Sequence, residues 1–393
     1  MTRTLGRIAY RLYVAAIIGG VVIVAVLTLY RPVATAIHTV AFAAEVLPSP
    51  VKIQPWLAAE PERRKVNFRR YDGFEGDADI YVIPDGKRRA GVLIFLGANA
   101  AGADDPDVIN LGKALARTGF AVMYYWSPTM GEQAQIDPEE VANLVAAFEH
   151  LSRQEFVDPN RVGLAGFSVG ASFALVAAAD RRIADDIDFV NAFGGYYDTP
   201  DLLVQIAAGR AIYEDGEVLW EVDKLTRRVY DNMLNDALDE LAHQEASRAY
   251  VNGSYHPPTP ELPTEAVAGL SLLAGVGSIA EARRLYDQMP AEFHQRVDSI
   301  SPSQHVGQWS RHTAMRVMHD RGDPLIPAGE SRRLVDTLRR QRPDITVYYT
   351  ETDIFRHVRP DANRDTKSLL RGAGQLYRHM YHIVAVARRP AAG

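Results

Sequence analysis

The chain contains no cysteine among its 393 residues. It therefore cannot hold a disulfide, a thiolate metal site or a cysteine nucleophile. It also lacks a broad basic surface: the formal net charge is −6, and no long run of Lys and Arg follows the N-terminal segment. Neutralising a phosphate backbone takes clustered cations, so nucleic acid is not an expected partner. What the chain does have is 47% hydrophobic and 23% charged residues, the balance of a folded globular protein, long enough for one large domain with an insertion or for two domains.

One apolar run stands apart. Leu12 to Tyr30, LYVAAIIGGVVIVAVLTLY, is nineteen residues without a charge, and a helix rising about 1.5 Å per residue makes that nearly the ~30 Å of a hydrocarbon core. We expect a single-pass transmembrane helix, with Tyr10, Tyr13 and Tyr30 near its interfaces. A cleaved signal peptide processed at Ala41-Phe42-Ala43 fits less well, because the run exceeds the usual length of roughly 7–15 residues and the Ala-x-Ala lies well beyond its end. Arg3, Arg7 and Arg11 precede the run and only Arg31 follows closely, which points to a cytoplasmic N-terminus and an extracytoplasmic body. Residues 32–47 form a second apolar stretch, interrupted by His38 and Glu45, that reads as an interfacial helix or a short second membrane segment. Residues 1–47 are thus expected as the anchor.

Residues 48–65, with Pro48, Pro50, Pro55, Pro61 and Arg63-Arg64-Lys65, read as a linker, because prolines so spaced interrupt regular structure. Beyond it, short β-rich runs alternate with amphipathic stretches, the pattern of a mainly parallel sheet flanked by helices. The predicted strands are 65–71, 78–83, 91–96, 120–126, 161–167, 188–193, 312–319 and 345–350. Between them Val108, Leu111, Leu115 and Ala116, and again Val141, Leu144, Val145 and Phe148, recur at helical spacing. Asp137-Pro138-Glu139-Glu140 supplies a cap, a first-position proline and two acids for a helix start. From Thr199 to about Trp309 the alternation stops, and helical periods without a convincing strand predict an inserted helical cap over 199–309. The α/β core is then 66–198 with 310–390.

Gly166-Phe167-Ser168-Val169-Gly170 falls between a strand, Arg161–Phe167, and a helix of small and apolar residues from Ala171. That is the context a nucleophile elbow needs: a tight turn lifts the serine into a cleft while small neighbours relieve crowding. It also sets Ser168 at a helix N-terminus, whose free N–H groups favour developing negative charge. Ser172, a turn further on, reads as a packing residue.

These residues resemble the α/β-hydrolase superfamily. The stretch from Asp158-Pro159-Asn160-Arg161 through Gly170, with Ser301-Pro302 ahead of a later strand, looks most like its dienelactone-hydrolase and prolyl-oligopeptidase-like branches. Dienelactone hydrolases usually carry Cys as nucleophile, and the Ser here moves the expectation toward esters. The resemblance implies an eight-stranded, mostly parallel sheet and an acid and a base following the serine in chain order. Asp323, in His319-Asp320-Arg321-Gly322-Asp323-Pro324, matches the family's acid position; Asp320 and Asp198 are alternatives. His319 matches a position often given to a structural histidine. His357, in the loop after the last strand, is the implied base, although the commoner Gly-His pairing is absent. The N–H of Val169 would be one oxyanion donor. By similarity the Ala98 N–H, in Gly97-Ala98-Asn99-Ala100-Ala101-Gly102, would be the second, with Asn99 as its neighbour or substitute. Tyr124, Tyr125, Trp126, Tyr196 and Tyr197 end strands at the same sheet edge and could line an acyl pocket or pack. His379 and His382 fall in a terminal helix and read as packing or surface residues.

The expectation is a membrane-anchored serine hydrolase that cleaves a small, lipophilic carboxylic ester through an acyl-enzyme, with no metal or organic cofactor implied. A prolyl-peptidase or amidase uses the same triad and is the nearest alternative. A catalytically silent binding module on the same fold is the other.

Overall fold

The structure, a computed structural model, describes residues 30–98, 102–131, 133–238, 263–361 and 366–389. The apolar run expected to span a membrane lies, except for Tyr30, outside the described residues, as does Asn99. Among the described residues no helix is long and apolar enough to cross a membrane.

Eight strands build one sheet: β1 (Glu62–Arg69), β2 (Glu75–Val82), β3 (Arg89–Phe95), β4 (Phe120–Trp126), β5 (Val157–Phe167), β6 (Ile187–Phe193), β9 (Ala314–Asp320) and β10 (Val347–Thr352). Their order is β1-β2-β4-β3-β5-β6-β9-β10. The β1–β2 and β2–β4 pairs are antiparallel, and the remaining pairs are parallel. Every predicted strand is present. The centre is apolar on both faces, as a sheet covered twice must be: Val92 and Ile94 of β3 pack to one side, Leu93 and Phe95 to the other.

On the first side lie α1 (Arg31–Val46), α3 (Pro106–Thr118) and α12 (Thr366–Ala387), through Phe42, Leu115 and Ile383. On the other lie α4 (Glu140–Ser152), α5 (Val169–Ala177) and α11 (Ala328–Gln341), through Phe148, Phe173 and Leu334. Asp137 does not cap α4: its Oδ1 accepts the Glu139 N–H at 3.0 Å in the turn just ahead of the helix, which starts at Glu140, whereas Ser278 Oγ accepts the Glu281 N–H at 3.2 Å and caps the helix Ile279–Tyr286.

Three boundaries differ from expectation. Residues 31–46 form one helix that packs on α3 and α12, because Ala34, Ala41, Phe42 and Ala43 make a buried stripe along it. Asn110 Nδ2 donates to Glu45 O at 3.1 Å, fastening its end. This helix is thus packed on the body. The linker is shorter than 48–65: it holds a one-turn helix, α2 (Gln54–Leu57), and gives way at Glu62 to β1, whose Arg63 reaches the buried Asp79 at 2.9 Å. The insertion carries α6 (Thr199–Ala208), α7 (Lys224–Leu238), α8 (Thr264–Ala274), α9 (Ile279–Tyr286) and α10 (Ala291–Ser299), but also a hairpin of β7 (Arg210–Tyr213) and β8 (Gly216–Leu219). Four-residue strands around Asp215-Gly216 are too short to show an alternating pattern against the helices beside them.

Candidate active site

Strand β5 runs straight into α5, and Ser168 is the hinge between them, with φ +56° and ψ −137°. No L-residue adopts that conformation without strain, on the order of 1–3 kcal/mol. The strain is held by close packing of backbone on backbone. A methyl group on Gly166 would stand 2.2 Å from Gly170 O, one on Gly170 would stand 2.4 Å from Phe95 O, and one on Gly97 would stand 2.3 Å from Gly170 N. The glycines of the elbow thus let β5, α5 and the loop after β3 touch directly. They carry Ala98 to the same cavity wall as Ser168 and Val169.

The Ser168 N–H donates to Phe193 O at 2.8 Å, which seats the elbow against the end of β6. The next residue, Gly194, has φ +67°, and a methyl group there would lie 3.4 Å from His357 Cε1 and 3.5 Å from Asp323 Oδ2. The loops after β5, β6, β9 and β10 therefore meet at one end of the sheet. His357 Nδ1 donates to Asp323 Oδ2 at 2.6 Å. Its Nε2 is buried and has no hydrogen-bond partner among the described residues, so with Nδ1 engaged by the acid Nε2 is the ring nitrogen left for a proton in transit. His357 is itself held at φ +62°; of the three non-glycine residues described with positive φ, two are Ser168 and His357.

Asp323 is fixed on its other side by the Leu325 and Ile326 N–H groups, which donate to Oδ1 at 2.8 and 3.1 Å. Burial alone would raise its carboxyl, but the hydrogen bonds from His319 and His357 outweigh it and hold the group well below the ordinary carboxylate range. It stays ionised opposite the base. Asp320 does a different job: Oδ1 accepts the Gly322 N–H at 3.0 Å and Oδ2 the Phe355 N–H at 3.0 Å, tying the acid loop to the loop that carries His357. Asp198 caps α6 through the Asp201 N–H at 2.9 Å and accepts the Ser303 hydroxyl at 2.7 Å. Ser172 Oγ is engaged with the Tyr196 backbone at 2.8 and 2.9 Å. Neither alternative acid is hydrogen-bonded to His357.

Beside Ser168 opens a cavity of about 570 Å³, part of it open to solvent. Ala98, Ser168 and Val169 are among its lining residues. Its walls are Leu202, Leu203 and Ile206 of α6, Leu225, Val229, Tyr230 and Met233 of α7, and Leu325 and Ile326 of the acid loop. Tyr196 reaches it, whereas Tyr124 and Tyr125 do not: they lie in the core with their hydroxyls donating to Val108 O at 3.2 Å and Glu140 Oε2 at 2.6 Å. The wall residues of α6 and α7 were visible in sequence only as helical periodicity. One further residue had no sequence signal as a hub. The buried Glu330 accepts the Tyr197 N–H at 3.0 Å and Gln205 Nε2 at 2.7 Å and pairs with Arg333, joining α11 to the loop after β6 and to the insertion.

No protein-family model matches the chain, and no curated protein sequence does. Solved structures do resemble it. A post-proline cleaving enzyme from Rickettsia typhi matches with a TM-score of 0.50 at 12% identity, over 84% of this chain and 38% of that one. Prolyl oligopeptidase B from Galerina marginata matches with 0.49 at 14% identity, over 83% and 37%. A puromycin-hydrolyzing peptidase from Mycobacterium tuberculosis matches with 0.48 at 14% identity, over 83% and 39%. This chain spans about two fifths of the length of those proteins. With an eight-stranded sheet in this order and the serine turn between β5 and α5, the chain has the α/β-hydrolase fold.

Proposed function

We propose that the chain is a serine hydrolase working through an acyl-enzyme. Ser168 Oγ attacks a carbonyl carbon while its proton passes to His357 Nε2. The new C–O bond forms, the bond to the leaving group breaks, and His357 returns the proton to that group. Water then repeats the sequence: its oxygen bonds the acyl carbon, its proton goes to His357 and on to Ser168 Oγ, and the acid departs. Asp323 orients the ring and stabilises the imidazolium, and the N–H groups of Val169 and Ala98 hold the oxyanion. The observation that carries this reading is the His357–Asp323 hydrogen bond lying against Gly194, which follows directly on the residue that holds Ser168. Labelling of the wild-type protein, but not of Ser168→Ala, by a fluorophosphonate probe supports it. Absence of labelling in both favours a silent scaffold.

Which bond is cleaved is the finer question. The Rickettsia typhi structure that this chain resembles is a post-proline cleaving enzyme, which favours an amide or peptide bond and puts the carboxylic ester second. Turnover of proline anilides against short aryl esters separates the two. The insertion over 199–309 serves as the cap in either case.

For attachment, the reading is a membrane helix over 12–30 with the body outside the cytoplasm. Exposed apolar side chains follow that run: Val40 is 51% exposed, Val51 55% and Trp56 82%. Such residues favour a lipid interface over water. Protease protection in intact cells tests the orientation, and carbonate extraction tests the anchor.

A further inference from the structure

Among the described residues, none that lines the cavity beside Ser168 is charged. Its polar groups are few and mostly spent. The Tyr196 hydroxyl donates to Ile300 O at 3.0 Å, the Tyr230 hydroxyl to Leu272 O at 3.0 Å and the Thr226 hydroxyl to Leu325 O at 2.9 Å. Besides the nucleophile, this leaves the hydroxyl of Thr199, whose Oγ1 is buried without a hydrogen-bond partner among the described residues. A peptide main chain entering here would bring a carbonyl and an N–H with every residue, and a charged group would bring a desolvated ion. One hydroxyl satisfies neither, and each unpaired polar group buried in an apolar site is costly.

The cavity also has a side. Ser168, Val169 and Ala98 line it, whereas His357 and Asp323 are not among its walls. The leaving group must sit where His357 can hand it a proton, and so it faces the histidine. What lies on the opposite side of the scissile carbonyl, past the oxyanion amides, is the acyl portion.

We propose that this cavity, built by α6, α7 and the acid loop, is the acyl-binding site, and that it takes an uncharged aliphatic or single apolar side group attached to the scissile carbonyl, with any main chain left outside. The proposal rests on the serine-hydrolase reading. It holds whether the bond broken is an amide or an ester, because the acyl portion is common to both. The acyl group stays in the cavity after the leaving group has gone. Acyl identity therefore governs deacylation, in which water attacks the acyl carbon, the C–Oγ bond breaks and the proton returns through His357 to Ser168.

Activated 4-nitrophenyl esters with one leaving group and four acyl groups (acetyl, butanoyl, hexanoyl and the charged succinyl) provide the test, with the burst and the steady state followed on the full chain. The expected result is a rise in kcat/KM of roughly tenfold for early added methylenes, a succinyl ester slower than butanoyl by on the order of a hundredfold, and a deacylation rate that changes with the acyl group. Val229→Phe, at a partly exposed wall position, should lower the hexanoyl-to-acetyl ratio by about tenfold, and its labelling by a methyl fluorophosphonate reports that it is folded. A deacylation rate blind to the acyl group, or succinyl turned over as well as hexanoyl, overturns the acyl assignment. Failure of the wild-type protein to be labelled by the methyl probe defeats the hydrolase reading itself, a different outcome from either of these.

Discussion

His319 lies directly beneath Asp323: its Nε2 stands 3.3 Å from the same Oδ2 that His357 Nδ1 approaches to 2.6 Å. The ring is fully buried, held by Ser331 Oγ at 2.7 Å on Nδ1 and by Ile326 O at 2.9 Å on Nε2. Burial opposes its protonation, but the hydrogen bond and charge of Asp323 outweigh burial and raise its pKa. One carboxylate oxygen is thus shared between a ring that supports it and a ring that it orients.

Removing the support has a definite expectation. His319→Leu removes the ring that stands 3.3 Å from Asp323 Oδ2 and strands Ser331 Oγ and Ile326 O, which costs about 1–3 kcal/mol in urea unfolding, together with a fall in kcat larger than any change in KM. His319→Gln keeps polar groups at the site and recovers part of both. Equal stability of His319→Leu and wild type counts against the shared-oxygen arrangement.

Asp323→Asn tests the acid. Loss of the charge and of the fixed tautomer lowers kcat by about 10⁴-fold, by analogy with the same change in other triads. The variant also has an acid signature. Because the folded carboxyl is held below its ordinary 3.8, its stabilising contribution is present above about pH 4 and is lost as the pH falls further. Thermal melts between pH 6 and pH 2 therefore show a shallower loss of Tm in Asp323→Asn than in wild type.

His379 gives a second pH dependence, away from the site. It is fully buried on α12, donating from Nε2 to Asn191 Oδ1 at 2.7 Å and accepting from Thr350 Oγ1 at 3.1 Å. Burial, then Arg316 and His382, lower its pKa from 6.5 to about 3. Between those values the unfolded chain takes up a proton that the folded chain refuses, so stability is complete above pH 6.5 and declines as the pH drops. The slope from this one residue approaches 1.4 kcal/mol per pH unit, an order-of-magnitude figure. In His379→Gln, which cannot titrate, urea midpoints across pH 4 to 7 lose that component.

Gly166→Ala tests the elbow as a packing device. The added methyl meets Gly170 O at 2.2 Å and Ala171 Cα at 2.4 Å, backbone atoms that cannot swing aside. We expect a loss of about 3 kcal/mol and of fluorophosphonate labelling. A stable, labelled variant would falsify the account of the elbow as a contact between two backbones.

Much of this was legible in the chain. The eight sheet strands were readable because a buried parallel strand is a short run of β-branched and aromatic residues, as in Phe120–Trp126, and a covering helix repeats its apolar face, as at Leu144 and Phe148. The hairpin at Arg210–Leu219 was not, because four residues are too few to set a period. The packing of helix Arg31–Val46 was not legible for another reason. Its small, apolar stripe suits a lipid boundary and a protein core equally, and only the presence of Val108, Leu115 and Ile383 opposite it distinguishes the two.

By itself the sequence determined the local chemistry: a serine between a strand and a helix, glycines where no Cβ fits, and a carboxylate and a histidine later in the chain. These are fixed by steric limits that act over a few residues. Only the tertiary structure decided that His357 meets Asp323, that Asp320 and His319 serve the loops and the acid, and that Leu203 and Met233 face Ser168 across a cavity. Those relationships join residues far apart in the chain, and no periodicity or spacing records which side chains the folding of the sheet will bring to the same end.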